Sequence, residues 1–316
     1  LNGACRAYDP VCDSTFVESG GYIDPFTSLI NHDCNANTWV IFERNELRVR
    51  ALRDIPAGTE LTNDYNVPTL SDDDLHKKTL AKKWNIECNC AIDEKGPVGL
   101  TGELKSTVTK FKLSPLNKNK SLQEQQEVEQ AIEDMIKAGF GYGTKPMEIL
   151  QKHAMWDQID NFNFTQALQT CLKIYYLILP AMSPKPVLHH RIPAFVLLVY
   201  LLDIDVIDLV TPPQVASVMK RLPQKVSDLL PDILVHLRAK LLSDTTKCFG
   251  EDSMTARFEK EIFEDRLAMS GPSVPALGNY VPLGESRVER DRFLKGMNEL
   301  MKWAGLPTQN LEQLLF

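Results

Sequence analysis

The sequence predicts an α+β fold: a β-rich part over residues 1–97, a polar linker over 98–120 and an all-α domain over 121–316. Three observations carry this division. Short apolar runs broken by turn formers fill the first part. Residues 38–52 alternate apolar and polar side chains with the two-residue period of a strand. Beyond residue 121, apolar residues recur at helical spacing, and prolines punctuate the segments.

In chain order, "TWVIFER" (38–44), Asn45-Glu46 and "LRVRAL" (47–52) read as a β-hairpin turning at Asn45-Glu46. "PAGTEL" (56–61) supplies a Pro/Gly turn leading into a short strand that ends near Tyr65. "SDDDLHKKTLAKKW" (71–84) opens with Ser and acidic residues and ends basic, matching the ends of a helix dipole. Residues 98–120 are polar and Lys-rich, a linker with one short strand. "SLQEQQEVEQAIEDMIKAGFG" (121–141) is an amphipathic helix stopped by Gly139. In the helix over 163–178, Ala167, Cys171, Ile174, Tyr175 and Ile178 share one face. The helix over 192–209 is apolar most of the way round and is expected at the centre, with the 163–178 helix as its partner. Further helices are expected around 213–222, 226–243, 254–268 and 286–304, together an irregular bundle of helix pairs.

The bulk numbers exclude some classes of function. The net charge of -7 carries no global basic footprint, so direct nucleic-acid binding is not expected. The longest apolar stretch, "AFVLLVYLL" (194–202), is too short to span a bilayer. Seven cysteines, one inside a helical pattern, do not form the framework of a small secreted domain, which points to a reducing compartment, cytoplasm or nucleus. The chain begins with Leu1, as expected of a fragment whose upstream residues lie elsewhere.

Chemistry concentrates in "SLINHDCNANTW" (28–39), where Asn31, His32, Asp33, Cys34, Asn35 and Asn37 crowd behind an apolar pair. A turn, a metal site or a ligand pocket would each explain the crowding. Cys34, Cys88, Cys90 and Asp93 could supply the four donors of tetrahedral zinc. Three small buried cysteines beside a surface Asp fit the spacing equally well.

"NHDCNANTW", "RALRDIPAGTELTNDY" and "WNIECNCAID" occur in this order. Together they resemble the motif blocks and post-SET segment of SET-domain protein lysine methyltransferases. The nearest subgroup is the SET and MYND family, with fungal SET proteins that carry a helical C-terminal domain. The resemblance covers residues 1–97 and implies the C-terminal part of a β-rich SET fold, followed by a tetratricopeptide-like helical domain. It implies S-adenosylmethionine as methyl donor, a structural zinc at Cys34, Cys88, Cys90 and Asp93, and a protein substrate such as a histone tail. Asn31 and His32 would contact the donor, and the 31–37 segment would lie beside the strand ending at Tyr65, the catalytic tyrosine. Ile86 falls where an aromatic residue often packs on the adenine. Arg6, in "CRAY" (5–8), replaces a donor-contacting Asn and could meet the donor's carboxylate instead. Asp93 stands in place of a fourth Cys, and the Gly-x-Gly segment that opens such domains is not in this sequence. These departures leave a second expectation, a non-catalytic SET-derived scaffold whose helical domain binds a protein or peptide.

Overall fold

The computed structural model describes residues 3–7, 17–22, 24–33, 36–43, 46–65, 80–87, 100, 102–114, 116, 120–182, 188–203, 222–268 and 281–308. The architecture is α+β, a small sheet region followed by a mostly helical one. Strands β1 (Gly3–Ala7) and β2 (Val17–Tyr22) pair antiparallel, with a bulge between Cys5 and Arg6. A second sheet has the order β3-β6-β4-β5. It comprises β3 (Asn31–His32), β4 (Thr38–Glu43), β5 (Glu46–Ala51) and β6 (Thr62–Asn63). β4 and β5 form the expected antiparallel hairpin, from Thr38 opposite Ala51 to Glu43 opposite Glu46. Glu46 therefore belongs to the strand and not to the turn. β6 runs parallel to both β3 and β4, so the short strand before Tyr65 is inserted between segments about thirty residues upstream.

The turn that feeds β6 follows from its sequence. Thr59 N–H donates to the Pro56 carbonyl at 3.1 Å, and Gly58 takes φ 82°. Pro56 opens the turn, Ala57 takes the first central position, and Gly58 takes the second, which requires the positive φ that glycine tolerates.

The stretch read as a linker with a short strand is helical over α1 (Gly102–Leu113). Its Val108 and Phe111 are buried in the helical core, with Leu104 packed against it. Spacings of four and three residues align these three side chains on one face, enough to anchor a Lys-rich helix. α2 (Leu122–Lys137) begins with a capping box: the Ser121 hydroxyl accepts from Glu124 N–H at 3.2 Å, and the Glu124 carboxylate accepts from Ser121 N–H at 2.9 Å. α3 (Lys145–Asp160) and α4 (Phe164–Lys173) follow. α4 continues through a wide π turn over Ile174–Ile178 into Leu179–Met182. Pro180 offers no N–H to a regular α ladder, and the wider turn accommodates the break. The face expected from sequence (Ala167, Cys171, Ile174, Tyr175, Ile178) is buried throughout.

α5 (Leu188–Asp203) is the expected central helix, and it packs against α4. Tyr175 stacks on Phe195 with ring centroids 4.7 Å apart. α6 (Leu230–Phe249) lies on α5, flanked by α7 (Met254–Ala268) and α8 (Arg287–Trp303). Gly296 on α8 lets this helix approach α6 closely, since a Cβ there would sit 2.8 Å from Ile233. Asp203 ends α5 by accepting from Arg238 and from Arg266, which ties α5, α6 and α7 through one buried carboxylate. The helix expected at 213–222 lies outside the described residues except for Leu222.

The β4–β5 hairpin docks on the helices with its arginine-bearing face. Trp39, paired with Arg50, meets Phe249 at 5.5 Å between ring centroids, and Arg50 donates to the Lys247 carbonyl at 3.0 Å. The C-terminal carbonyls of α6 lack helical partners and carry the negative end of its dipole, so a guanidinium suits them. Gly250 follows the helix with φ 98°, a conformation that glycine tolerates.

His153 yields a pH prediction. It is buried on α3 and binds the Phe111 carbonyl through Nε2 at 2.6 Å, so Nε2 carries the proton. Burial, with Lys120 nearby, lowers its pKa to about 4 from the ordinary 6.5. The folded state therefore binds this proton less readily than the unfolded one. Its contribution is full above pH 6.5 and is lost as pH falls toward 4. Urea denaturation should show the stability advantage of wild type over His153→Gln shrinking on acidification across that window. A constant difference would contradict the assignment.

Candidate functional site

The site is built where β3, β6 and the residues after them meet. Asn37 sets the geometry. It is 5% exposed, and its carboxamide bridges two points on the opposite segment. Its Nδ2 donates to the Glu60 carbonyl at 2.8 Å, and its Oδ1 accepts from Thr62 N–H at 2.9 Å. Asn37 N–H donates to the Thr62 hydroxyl at 3.3 Å, and the buried Thr38 hydroxyl donates to the Thr62 carbonyl at 2.8 Å. A primary amide can donate and accept at once, so one side chain imitates a strand edge. β6 is thereby held in register, with Asn31 opposite Thr62 and His32 opposite Asn63, and Asp33 N–H donates to the Asn63 carbonyl at 3.2 Å. The expected apposition of the 31–37 segment and the strand before Tyr65 is what the fold contains.

Tyr65 is thereby brought onto His32. Tyr65 N–H donates to His32 Nδ1 at 3.2 Å, and the two rings lie 5.2 Å apart, tilted by 49°. An Nδ1 that accepts a hydrogen bond carries no proton, so His32 is the neutral Nε2–H tautomer. Asp64 Oδ1 stands 3.9 Å from the same Nδ1, beyond hydrogen-bond range. The Tyr65 hydroxyl donates to the Ile30 carbonyl at 2.8 Å, and burial pushes its pKa up. It is a neutral phenol at neutral pH. Its proton is committed to Ile30, which leaves the oxygen lone pairs to accept from a ligand.

Trp84 also packs on Tyr65, at 5.4 Å between ring centroids and 55° tilt, with the Lys83 ammonium 5.5 Å from the Trp84 ring. Residues 80–84 are helical, in line with the C-terminal end of the helix expected at 71–84. The segment ends at Asn85 with φ 55°, a left-handed conformation that Asn tolerates. Ile86 follows, half-buried, its N–H donating to the Leu80 carbonyl at 3.3 Å.

Asn31, His32 and Tyr65 are thus brought together. Arg6 lies on β1 opposite Glu18, directly after the bulge. Cys34, Cys88, Cys90 and Asp93 lie outside the described residues, as does Asn35. Among the described residues no group of three or more His, Cys, Asp or Glu is placed to hold a metal ion. Sequence reasoning overlooked Glu60, Thr62 and Trp84. Asn31 Nδ2 donates to Glu60 Oε1 at 2.6 Å. Glu60 and Thr62 lie inside the "GTELT" block, so the motif itself was the available signal. Trp84 ends the expected 71–84 helix and opens the "WNIECNCAID" block, but no role was read for it.

The bracket formed by Asn37 is open to test. Asn37→Ala removes both side-chain bonds and leaves backbone groups of Glu60 and Thr62 without these partners. It should cost about 2–3 kcal/mol in chemical denaturation. A loss below about 0.5 kcal/mol would show that β6 holds its register without Asn37.

Residues 6–66 match the SET domain family model. The chain is 34% identical over 86 residues to the histone-lysine N-methyltransferase SMYD3 of both Mus musculus and Homo sapiens. That match covers 27% of this chain and 20% of theirs. It is 32% identical over 88 residues to the histone-lysine N-methyltransferase ASHR1 of Arabidopsis thaliana, covering 28% of this chain and 18% of that protein. The matches span about a fifth of the length of these curated relatives. Residues 6–66, within which β3 and β6 assemble the site, thus match the SET domain and are similar to part of the histone-lysine N-methyltransferases SMYD3 and ASHR1.

Proposed function

We propose that this protein is an S-adenosylmethionine-dependent protein lysine methyltransferase. The observation that carries the reading is the Tyr65 hydroxyl, whose proton is given to the Ile30 carbonyl. The oxygen is then an acceptor, suited to orienting the N–H bonds of a lysine amine. The donor would supply the electrophilic methyl group. Asn31 and His32 would hold it, and Ile86 and Arg6 would complete its pocket from the flanking segments. Catalysis of this kind rests on alignment and polar positioning, and no separate nucleophile of the protein is required. Because its pKa is raised, Tyr65 orients the amine as a neutral phenol and does not act as a phenolate base.

The helical half is read as a tetratricopeptide-like surface that presents a protein substrate, a histone tail or another lysine-containing segment, to the SET core. The Arg50 and Trp39 contacts with the end of α6 support that reading, because they tie the sheet to the helices. No helix among the described residues is long and apolar enough to cross a membrane. The proposed location is cytoplasmic, nuclear or both.

Cys34, Cys88, Cys90 and Asp93 are proposed to hold zinc. Three thiolates and a carboxylate form a donor set that suits a tetrahedral site. The metal would pin the segment after Ile86 to the loop after His32, a structural task.

Two experiments test these readings. With labelled donor and a panel of histone and other lysine peptides, the complete protein should transfer methyl groups, and Tyr65→Phe should lower kcat by roughly 100-fold or more. Transfer unchanged by that substitution would overturn the role of Tyr65. Elemental analysis after metal-replete purification should find about one zinc per chain, reduced in Cys88→Ser. Metal-free protein would sink the zinc site.

A further inference from the structure

We infer that Glu60 is a positioning residue that fixes which end of the Asn31 carboxamide is presented to the methyl donor. This rests on the reading of the site proposed above. An asparagine side chain has two nearly isosteric ends, one donating and one accepting, and can flip between them. Asn31 is exposed on a two-residue strand, so packing alone does not choose. Glu60 does choose. An ionised carboxylate only accepts, and its Oε1 lies 2.6 Å from Asn31 Nδ2. The amino end of Asn31 is thereby held by Glu60, and its Oδ1 is left as an acceptor.

Glu60 is itself held in place. Its carbonyl accepts from Asn37 Nδ2 at 2.8 Å, and two residues on, Thr62 N–H donates to Asn37 Oδ1 at 2.9 Å. The parallel pairing of Asn31 with Thr62 sets the distance across which the carboxylate reaches. A carbonyl acceptor beside a carboxylate favours a ligand end that bears N–H groups and positive charge, and disfavours a carboxylate or carbonyl end. S-adenosylmethionine has such an end in its amino-acid ammonium.

The test is donor binding by calorimetry with the complete protein, using S-adenosylmethionine and S-adenosylhomocysteine. Glu60→Ala should weaken both about 5- to 10-fold, the worth of one oriented hydrogen bond. Glu60→Gln should fall in between, because glutamine either accepts from or donates to Asn31 and no longer dictates the flip. In an Asn31→Ala background, Glu60→Ala should add nothing, since Glu60 acts through Asn31. At saturating donor, kcat and the melting temperature should stay at the wild-type values. Unchanged donor affinity in Glu60→Ala, or losses additive with Asn31→Ala, would overturn the inference. A fall in kcat and melting temperature together would make Glu60 merely structural and would also overturn it. If wild type binds no donor, the methyltransferase reading fails, and the pair is judged by nuclear magnetic resonance. The side-chain amide resonance of Asn31 should then move in Glu60→Ala and stay fixed in Glu103→Ala. An unmoved resonance in Glu60→Ala would overturn the orientation.

Discussion

One buried carboxamide governs the geometry of this site. Asn37 spans from the Glu60 carbonyl to the Thr62 N–H, and β6 sits between β3 and β4 as a result. Two-residue strands gain little from ladder hydrogen bonds alone. A side chain that completes the edge on both sides turns a brief contact into a fixed register. Everything nearby inherits that register. Tyr65 N–H finds His32 Nδ1, the Tyr65 hydroxyl finds the Ile30 carbonyl, and Glu60 finds Asn31. Each of these contacts joins residues about thirty positions apart, and each depends on β6 lying where Asn37 puts it.

The hairpin carries the same constraint outward to the helices. Asn37 also gives its carbonyl to Leu52 N–H at 2.8 Å, so it sits at the base of the β4–β5 ladder. The hairpin then turns Trp39 and Arg50 onto the end of α6. Here the strand alternation works against the usual expectation. Val49 and Ala51 are exposed, while the arginines face protein, because the open carbonyl end of a helix is a better partner for guanidinium than water alone.

What the sequence revealed, and what it did not, divides along physical lines. Local signals were legible: the alternation of β4 and β5, the amphipathic helix that begins after Ser121, the apolar face of α4 and the largely apolar α5. The turn placed at Asn45-Glu46 was one residue late, because Glu46 pairs with Glu43. α1 was read as a linker because its core face is only three apolar residues wide amid lysines and threonines. The parallel insertion of β6 left no periodicity to read, since its partners are distant in sequence. Only the order of the motif blocks suggested it. The motifs named Asn31, His32 and Tyr65 but not Glu60 or Trp84, whose roles arise from which side chains the register makes neighbours. The cysteine and aspartate positions of the expected zinc knuckle lie outside the described residues and stand on their chemistry alone.

The central claim is that β6 presents Tyr65 to His32 so that the Tyr65 amide donates to Nδ1. The most direct test is the tautomeric state of His32 by nitrogen-detected nuclear magnetic resonance at neutral pH. The account predicts a neutral ring with its proton on Nε2 and an unprotonated, hydrogen-bonded Nδ1. A proton on Nδ1, with His32 either neutral or charged and turned toward Asp64, would contradict it.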